Sequence, residues 1–521
     1  MKTNTAYIIR VTLIVALGGF LMGFDASVIS GVVKFIESQF ELSKIQLGWA
    51  VSCLTLTSTL AMMVSGPLSD KLGRRKILTW AAILYGISAM LSAIAPTFTF
   101  LIIARMIGGL GVGSSLIIAP MYIAEISPPK IRGRMVSFNQ LNIVLGISVA
   151  FFTNYLILRL GQSDIEWAQS LKMNEYNWRW MLGLETLPAI FYFGFLFFVP
   201  ESPRWLAMNG EYDEALRIMS KASSVENANA EFEVLKQNIS KSETKERIPF
   251  SELFKPALKL VLIIGIVIAI TQQITGINSV FFYAPMIFEQ SGIGTDASFS
   301  QAILVGITNL FFTLIAIWLI DKLGRKPLLM IGLTGIVISM FVLSLGFKSA
   351  TYELKKEHIA EYIETPVYDK LTSIQNKEFN SDVAFKNSLK NILNEKEVKK
   401  YESQIISQAI SINPLLILIG ILGFVAFFAV SIGPVMWVLF SELFPNNIRG
   451  LAISFIGFIN SAVSFSVQLV FPWELAKIGN AATFMIYGIF GALGLIFIAI
   501  YLPETKGKSL EDLEKQLIKT N

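Results

Sequence analysis

The sequence predicts an all-α membrane protein with twelve transmembrane helices, arranged as two six-helix bundles. Three observations support this prediction: the composition, the number of long apolar stretches, and an internal repeat of charged motifs. The chain has 521 residues, of which 53% are hydrophobic and only 16% are charged. A water-soluble fold of this length could not bury so much apolar surface, so we expect the lipid bilayer to solvate part of it.

Twelve apolar stretches are each long enough to cross a bilayer. A helix needs about 20 apolar residues to span the ~30 Å hydrocarbon core. The predicted spans lie near residues 8–31, 45–68, 76–95, 98–123, 134–158, 179–199, 257–290, 298–320, 327–347, 413–441, 449–473 and 481–502.

Charged residues in the loops predict the orientation. Basic residues such as Arg74, Arg132 and Arg325 follow the second, fourth and eighth predicted spans, whereas the loops at 95–98 and 291–298 contain neither Lys nor Arg. Because Lys and Arg are enriched in cytoplasmic loops, we expect both termini to be cytoplasmic in a multi-pass protein of a plasma or bacterial inner membrane. The net charge of +5 comes from short clusters between apolar runs, so we expect no nucleic-acid partner.

Two polar segments interrupt the series of predicted spans. Residues 205–250 place apolar residues at helical spacing among charged ones, which predicts short amphipathic helices on the cytoplasmic face. Residues 348–412 are rich in polar residues and predict an extracellular insertion that forms helical pieces over the opening on that side. The predicted domains are therefore an N-terminal bundle at 1–204, a linker at 205–250, and a C-terminal bundle at 251–521 that contains the insertion.

Three charged motifs occur once in each half. The sequence Asp-x-x-Gly-Arg follows the second and eighth spans, a Glu with a later Arg-Gly pair follows the fourth and tenth, and Pro-Glu follows the sixth and twelfth. The difference in residue number between the two copies of a motif increases where the 348–412 insertion occurs. The charged residues concerned are Asp70, Arg74, Glu125, Arg132, Glu201, Arg204, Asp321, Arg325, Glu442 and Arg449.

Each repeated motif places a carboxylate and a basic residue at helix ends, where the helix dipole favours such charges. We expect these residues to form a cytoplasmic gate, in which ion pairs between the halves hold the inner side closed and then separate. The alternative is that Lys and Arg only set the topology. Topology requires neither the accompanying Glu residues nor the repeated Gly and Pro.

These motifs resemble those of the sugar porter family of the major facilitator superfamily. The resemblance rests on Asp-x-x-Gly-Arg in both halves, Pro-Glu-Ser-Pro-Arg at 200–204 and Pro-Glu-Thr-Lys-Gly at 503–507, and it extends over nearly the whole chain. It is greatest to bacterial xylose–proton symporters and extends to animal facilitative glucose transporters. The resemblance implies the major facilitator fold and alternating-access transport of a monosaccharide. The residues alone predict a two-repeat transporter of unknown cargo.

Three charges inside the predicted spans are candidates for proton coupling: Asp25, Arg105 and Glu185. An unpaired charge in the membrane is costly, so a carboxylate and an Arg in neighbouring spans should pair. A purely structural ion pair is the alternative. The resemblance implies that the three residues form the coupling cluster of a proton symporter, since facilitative glucose transporters have an asparagine where this chain has Asp25. With the only histidine, His358, in the insertion, a carboxylate is the expected proton carrier.

Polar residues of the seventh span are candidates for binding the cargo. A sugar presents hydroxyl groups that both donate and accept, so its site requires amides and a flat aromatic side chain. Gln272, Gln273, Asn278 and Tyr283 lie in this span, and Asn278 returns toward the face of Gln273. Buried amides that hold helices together are the alternative.

The resemblance implies further binding residues in other spans. Trp437 is expected to face the sugar ring, and Gly433 with the following proline weakens its helix and permits bending. The alternative for Trp437 is an interfacial aromatic residue. The other residues implied are Gln140, Ile143, Asn309, Phe428 and Asn460.

Several positions differ from the xylose symporter pattern. Met22 replaces an aromatic residue, Ile147 a glutamine that bonds the sugar, Ile432 a tryptophan, and Ser461 a tryptophan found in most of the family. We therefore expect a hexose such as glucose, with a pentose such as xylose or an inositol as alternatives.

Other functional classes are disfavoured. A membrane enzyme would require a metal-ligand cluster, a Gly-x-Ser-x-Gly motif or a Gly-rich phosphate loop, and none is present in the sequence. We expect the partners to be the sugar, protons and lipid, without a cofactor or metal, and we expect a monomer. A facilitative uniporter and a non-transporting sugar sensor of the same fold remain as alternatives.

Overall fold

The computed structural model describes residues 4–129, 131–243, 249–445 and 448–506, and most of them are helical. The helices of the first half are α1 (Thr5–Gln39), α2 (Lys44–Leu72), α3 (Arg74–Ala93), α4 (Phe98–Ile126), α5 (Arg132–Gly161), α6 (Glu166–Ser170), α7 (Asn177–Gly183), α8 (Thr186–Leu196), α9 (Pro203–Met208), α10 (Tyr212–Ala222) and α11 (Val225–Glu243).

The second half begins with two 3₁₀ turns, Phe250–Phe254 and Pro256–Leu258. Its helices are α12 (Lys259–Ile274), α13 (Ile277–Glu289), α14 (Thr295–Leu323), α15 (Arg325–Lys348), α16 (Lys356–Ala360), α17 (Tyr368–Thr372), α18 (Asp382–Ile392), α19 (Glu395–Ala409), α20 (Pro414–Val430), α21 (Ile432–Leu443), α22 (Arg449–Lys477) and α23 (Asn480–Tyr501). Its strands are β1 (Thr351–Glu353), β2 (Glu378–Phe379) and β3 (Ile410–Ser411).

Among the described residues, eleven helical segments are long and apolar enough to cross a membrane. Two of them are interrupted pairs, α12 with α13 and α20 with α21. The predicted sixth span is not one helix, because Leu184 and Glu185 separate α7 from α8. Several helices also extend beyond the predicted spans, since an apolar pattern marks the hydrocarbon region while a helix can continue into polar sequence.

The two interrupted pairs have different causes. Between α12 and α13, Gly276 adopts a left-handed conformation with φ of 89°, which ends one helix and begins the next. Between α20 and α21, Ser431 leaves the helical region, with φ of −127° and ψ of −100°. Both breaks free backbone groups within a membrane span, where such groups are tolerated only if they find partners or line a cavity.

Glycines allow α4 to approach α2 closely. A Cβ atom on Gly109 would lie 2.5 Å from the carbonyl oxygen of Leu54, and one on Gly113 would collide with the carbonyl oxygen of Ser58. The glycine run in the fourth span therefore serves helix packing, as in other membrane proteins with small residues at helix contacts.

Two compact units divide the chain differently from the predicted domains. The first comprises residues 1–27, 53–150 and 179–250, and the second comprises 28–52, 151–178 and 251–521. In the first, α3 packs against α4 and α8; in the second, α15 packs against α20 and α23. The two sets of boundaries differ because the compact units are defined by contacts between residues, whereas the predicted domains are defined by the internal sequence repeat.

The linker between the halves forms the expected amphipathic helices. In α10, Ala215, Ile218 and Ala222 are buried at helical spacing, and charged residues occupy the other face. They join the apolar core of the first unit.

The 348–412 insertion is a small compact structure rather than helical pieces alone. Helices α16–α19 surround an antiparallel sheet of order β2-β1-β3, with an apolar core of its own that includes Tyr352 and Phe385. A buried ion pair between Lys386 and Asp382 fixes the insertion to the rest of the second unit: Lys386 donates to the carbonyl oxygen of Leu475, and the backbone N–H of Asn480 donates to Asp382. Strands of two and three residues are too short to produce a recognisable alternation in the sequence.

Candidate functional site

Three charged side chains are buried together in the first compact unit. Asp25 on α1 and Arg105 on α4 are each 2% exposed, and Glu185, in the break between α7 and α8, is 3% exposed. Nη1 of Arg105 donates to Oδ1 of Asp25 at 3.2 Å, and Nη2 donates to the Asp25 carbonyl oxygen at 3.4 Å. The expected pairing of a carboxylate with Arg105 is therefore present.

This charged cluster is not fully satisfied. Within the described part of the chain, no hydrogen-bond partner is found for Oδ2 of Asp25, Nε of Arg105 or Oε1 of Glu185. Glu185 also interacts electrostatically with both other residues. Among the described residues, Arg105 forms an ion pair with Asp25 and none with Glu185, so a proton on either carboxyl group would balance the charge of the cluster.

Gly108 leaves space for the cluster. A Cβ atom at Gly108, one helical turn from Arg105 on α4, would lie only 2.9 Å from Oδ2 of Asp25. The absence of a side chain at this position therefore sets how closely α4 can approach the carboxylate.

Amide side chains form a second polar cluster, in the second compact unit. Nε2 of Gln273 donates to Oε1 of Gln272 at 3.1 Å and to Oδ1 of Asn460 at 3.2 Å. Nδ2 of Asn460 donates to Oε1 of Gln272 at 2.8 Å, and Nδ2 of Asn278 donates to Oε1 of Gln273 at 2.9 Å. Each amide therefore orients its neighbour, and Asn278 returns to the face of Gln273 as the helical spacing predicts.

The helix breaks supply partners for this amide cluster. Nε2 of Gln272 donates to the carbonyl oxygens of Ile432 and Gly433, each at 3.3 Å, just after the break at Ser431. Asn278 follows the break at Gly276. The interrupted helices therefore place side-chain amides next to backbone carbonyls of the first turn of α21 inside a membrane span.

The other predicted binding residues lie as follows. Tyr283 is fully buried and donates to the carbonyl oxygen of Gln468 at 3.1 Å. Asn309 is buried, Phe428 is half-buried beside Gly433, and Trp437 is 47% exposed with its ring edge-on to Phe440. Gln140 is exposed and Ile143 half-buried on α5 of the first unit. The structure thus brings together Gln272, Gln273, Asn278 and Asn460, and the binding role of every one of these residues stays a prediction.

Two residues of the amide cluster were missed by the sequence analysis. Oγ of Ser464 accepts from Nδ2 of Asn278 at 2.6 Å and from Nε2 of Gln468 at 2.8 Å. Asn460, Ser464 and Gln468 recur every four residues on α22, so they form a polar stripe on one face of an apolar helix. That periodicity was the signal available in the sequence.

The charged motifs of the first half form one network in the first unit. Arg74 donates to Glu125 through Nε at 3.0 Å and through Nη2 at 3.2 Å, and it pairs with Asp70 at 2.9 Å. Ser202 donates to the same Glu125. Oε1 of Glu201 accepts from the backbone N–H groups of Arg74 at 2.9 Å and of the following arginine at 3.1 Å.

The second half repeats the Arg–Glu, hydroxyl–Glu and backbone–Glu contacts of this network. Arg325 donates to Glu442 through Nε at 3.1 Å, and Thr505 donates to Glu442 at 2.6 Å in the place of the serine. Glu504 accepts from the backbone N–H groups of Arg325 and Lys326, each at 3.0 Å. Although partial burial opposes ionisation, the backbone N–H of Lys506 together with these two donors holds the pKa of Glu504 below its ordinary value.

The remaining predicted gate residues have weaker contacts. Nε of Arg132 and Nε of Arg449 donate to backbone carbonyls near their own helix starts, at 3.4 and 3.1 Å. Nε of Arg204 lies 4.0 Å from Glu125. The side chain of Asp321 lies outside the described part of the chain. Each of these gate contacts joins residues of one half, so pairing between the halves stays a prediction.

A further set of charges, not predicted from the sequence, joins helices of both halves within the second unit. Nζ of Lys34 on α1 contacts Oε1 of Glu289 and Oγ1 of Thr295, each at 2.6 Å. Arg159 on α5 pairs with Asp296 on α14 at 3.2 Å. These contacts lie at the helix ends opposite to the repeated motifs.

Comparisons with known proteins identify the family. The family model described as "Sugar (and other) transporter" matches residues 11–363 and 400–517. The arabinose-proton symporter of Bacillus subtilis is 35% identical over 517 residues, covering 99% of this chain and 96% of the relative. The glucose transporter GlcP of Staphylococcus epidermidis is 32% identical, covering 96% and 95%.

A solved structure agrees with the sequence comparisons. The inward open conformation of the xylose transporter XylE from E. coli matches with a TM-score of 0.74 at 31% identity, covering 98% of this chain and 100% of that chain. Fold, motifs and relatives agree, and the chain belongs to the sugar porter family of the major facilitator superfamily.

Proposed function

We propose that this protein is a proton-coupled symporter of a monosaccharide that works by alternating access. The observation on which the proposal rests is the buried cluster of Asp25, Arg105 and Glu185, in which Arg105 pairs with Asp25 and the carboxyl group of Glu185 is also buried. A passive carrier needs no titratable group at such a position, whereas a symporter needs one that can gain and lose a proton during the cycle.

Asp25 is the proposed proton carrier. When Arg105 bonds its carboxylate, the ionised form is favoured and the proton leaves. When that bond is broken, the carboxylate is left buried without a counter-charge. Uptake of a proton neutralises the carboxylate and removes the free-energy cost of burying an unpaired charge. Glu185 can hold Arg105 while Asp25 is protonated, so that the guanidinium is not left alone inside the membrane.

The sugar is proposed to bind at the amide cluster of Gln272, Gln273, Asn278 and Asn460. These amides bond one another in the structure, so sugar hydroxyls must replace some of those bonds on binding. A hydroxyl can both donate and accept, which allows the exchange without leaving an amide unsatisfied. Trp437, which is half exposed, is proposed to cover an apolar face of the ring.

A hexose such as glucose is the first proposed cargo. This choice rests on the sequence, since Ile147 replaces the glutamine expected in a xylose symporter. The relatives include a glucose transporter as well as an arabinose-proton symporter, and a pentose is the second candidate.

Exchange between two sets of charged contacts is the proposed basis of alternating access. The repeated networks around Glu125 and Glu442 lie at the helix ends that the loop charges predict to be cytoplasmic. The contacts of Lys34 and Arg159 lie at the opposite ends and are proposed to hold the outer side closed. Both termini are proposed to be cytoplasmic, in a plasma or bacterial inner membrane.

Uptake into vesicles tests the proposed function. The purified protein would be reconstituted into liposomes, and accumulation of labelled glucose would be followed with and without an imposed proton gradient. We expect accumulation above equilibrium only with the gradient. Equilibration without accumulation would identify a facilitative uniporter, and absence of both uptake and exchange would identify a sensor.

A competition experiment tests the choice of cargo. Unlabelled glucose, xylose, arabinose and myo-inositol would compete with labelled glucose at matched concentrations. We expect glucose to compete best; stronger competition by xylose or arabinose would assign a pentose instead.

A further inference from the structure

Two cavities of the first compact unit share no lining residue with either polar cluster. The first, of about 410 Å³, is lined by charged and aromatic residues that include Tyr7, Arg75, Arg217 and Lys221. The second, of about 640 Å³, is an almost wholly apolar groove. Phe198 lines both, so the two cavities adjoin at this side chain.

The apolar groove lies along one face of α1. Ile9, Arg10, Leu13 and Ile14 recur at helical spacing on that face, and Phe195 and Phe198 from the end of the predicted sixth span complete the groove. Leu13 and Phe198 are 44% and 68% exposed. A groove between spanning helices with exposed apolar walls is in contact with the acyl chains of the bilayer.

Basic residues are in excess around the polar cavity. Glu214 is held by Arg217 at 2.6 Å, and Glu201 accepts backbone N–H groups. For Lys221 and for Arg10 no ion pair is found among the residues that the structure describes. Lys221 lines the polar cavity and Arg10 lines the adjoining apolar groove.

We propose that the two cavities bind one anionic glycerophospholipid, with its phosphate headgroup in the polar cavity and an acyl chain in the groove. The polar cavity adjoins the apolar groove in the same way that the phosphate headgroup of such a lipid adjoins its acyl chains. Basic pockets between transmembrane helices attract anionic headgroups, and an Arg at the hydrocarbon boundary requires a counter-charge. This site is separate from the residues proposed to bind sugar and proton.

Lipid titration tests the proposal. The full-length protein in detergent would be titrated with phosphatidylglycerol and with phosphatidylcholine of the same acyl chains, and bound lipid would be counted by native mass spectrometry. Each basic residue near an anionic lipid contributes about a fivefold factor in affinity. The double variant Arg10→Gln, Lys221→Gln should therefore bind phosphatidylglycerol about 25-fold more weakly and phosphatidylcholine as before.

The matched control is Lys259→Gln, which removes an exposed lysine at the start of α12 in the second unit. It should bind phosphatidylglycerol like the unmodified protein. Unfolding temperatures in detergent alone verify that all variants are folded. Equal affinity for the two lipids, or equal losses in the control and double variants, would overturn the proposal.

A second arm distinguishes a lipid from a free anion. Glycerol 3-phosphate should not displace the bound lipid, because it lacks the acyl chain that fills the groove, and Phe198→Ala should weaken binding of both lipids. Full displacement by glycerol 3-phosphate would assign a small-anion site and reject the lipid.

Discussion

Replacement of Asp25 by Asn tests the proposed coupling most directly. In the unmodified protein, Nη1 of Arg105 lies 3.2 Å from Oδ1 of Asp25. The asparagine amide has the same size and can still accept this hydrogen bond, but it cannot be ionised. Uphill uptake driven by a proton gradient should disappear. Sugar-for-sugar counterflow should persist, since the amide resembles the protonated carboxyl group.

The proton gradient sets the expected accumulation ratio, and the contacts of the charged cluster set the expected loss of stability. A gradient of about two pH units supplies about 2.7 kcal/mol per proton, so one proton per sugar permits accumulation of up to ~100-fold. The Asp25→Asn variant should reach a ratio of about one. Loss of stability should stay below the roughly 3–5 kcal/mol typical of a buried charge that loses its sole partner, because the amide oxygen can still accept the hydrogen bond that Arg105 donates to Asp25.

The assay compares accumulation and counterflow in the same proteoliposomes at several pH values. Asp164→Asn provides the matched control, since Asp164 is exposed and lies outside the helices. It should accumulate sugar like the unmodified protein. Accumulation by Asp25→Asn with its pH dependence intact would refute the assignment of Asp25 as the proton carrier.

Three further substitutions test other parts of the site. Asn278→Ala removes the bonds to Gln273 and Ser464, so the sugar Kd should rise by a factor that corresponds to about 1–3 kcal/mol; unchanged binding would place the site elsewhere. Gly108→Ala brings a methyl group within 2.9 Å of the carboxyl of Asp25 and should lower accumulation more than counterflow, whereas equal losses would indicate a packing defect alone. Glu125→Gln weakens the gate network and should favour the inward-facing state by about 1–3 kcal/mol, measured as labelling of an introduced cytoplasmic cysteine; unaltered labelling would reject a gating role.

The charged cluster was partly predictable. Burial of a charge in a membrane is costly, so the sequence alone indicated that Asp25 and Arg105 would pair, and they do. It could not indicate that Glu185 would interrupt the sixth span and leave an oxygen without a partner, because this depends on how α7 and α8 meet α1 and α4.

The amide cluster was predictable only along one helix at a time. Helical spacing placed Asn278 on the face of Gln273, and the structure has them 2.9 Å apart. The contribution of Ser464 and Gln468 was missed, although the stripe that they form with Asn460 is visible in the sequence. Helical spacing indicates which residues share one face of a helix, but it does not indicate which face of a neighbouring helix packs against them.

The sequence by itself determined the membrane class, the family, the repeated motifs and the amphipathic linker, because hydropathy, helical periodicity and charge act locally along the chain. Tertiary structure alone decided three features: the matching arginine and hydroxyl contacts around Glu125 and Glu442, the sheet within the insertion, and the assignment of residues 28–52 and 151–178 to the second compact unit. Each of these depends on contacts between segments far apart in the chain, and no local pattern specifies which distant segments will meet.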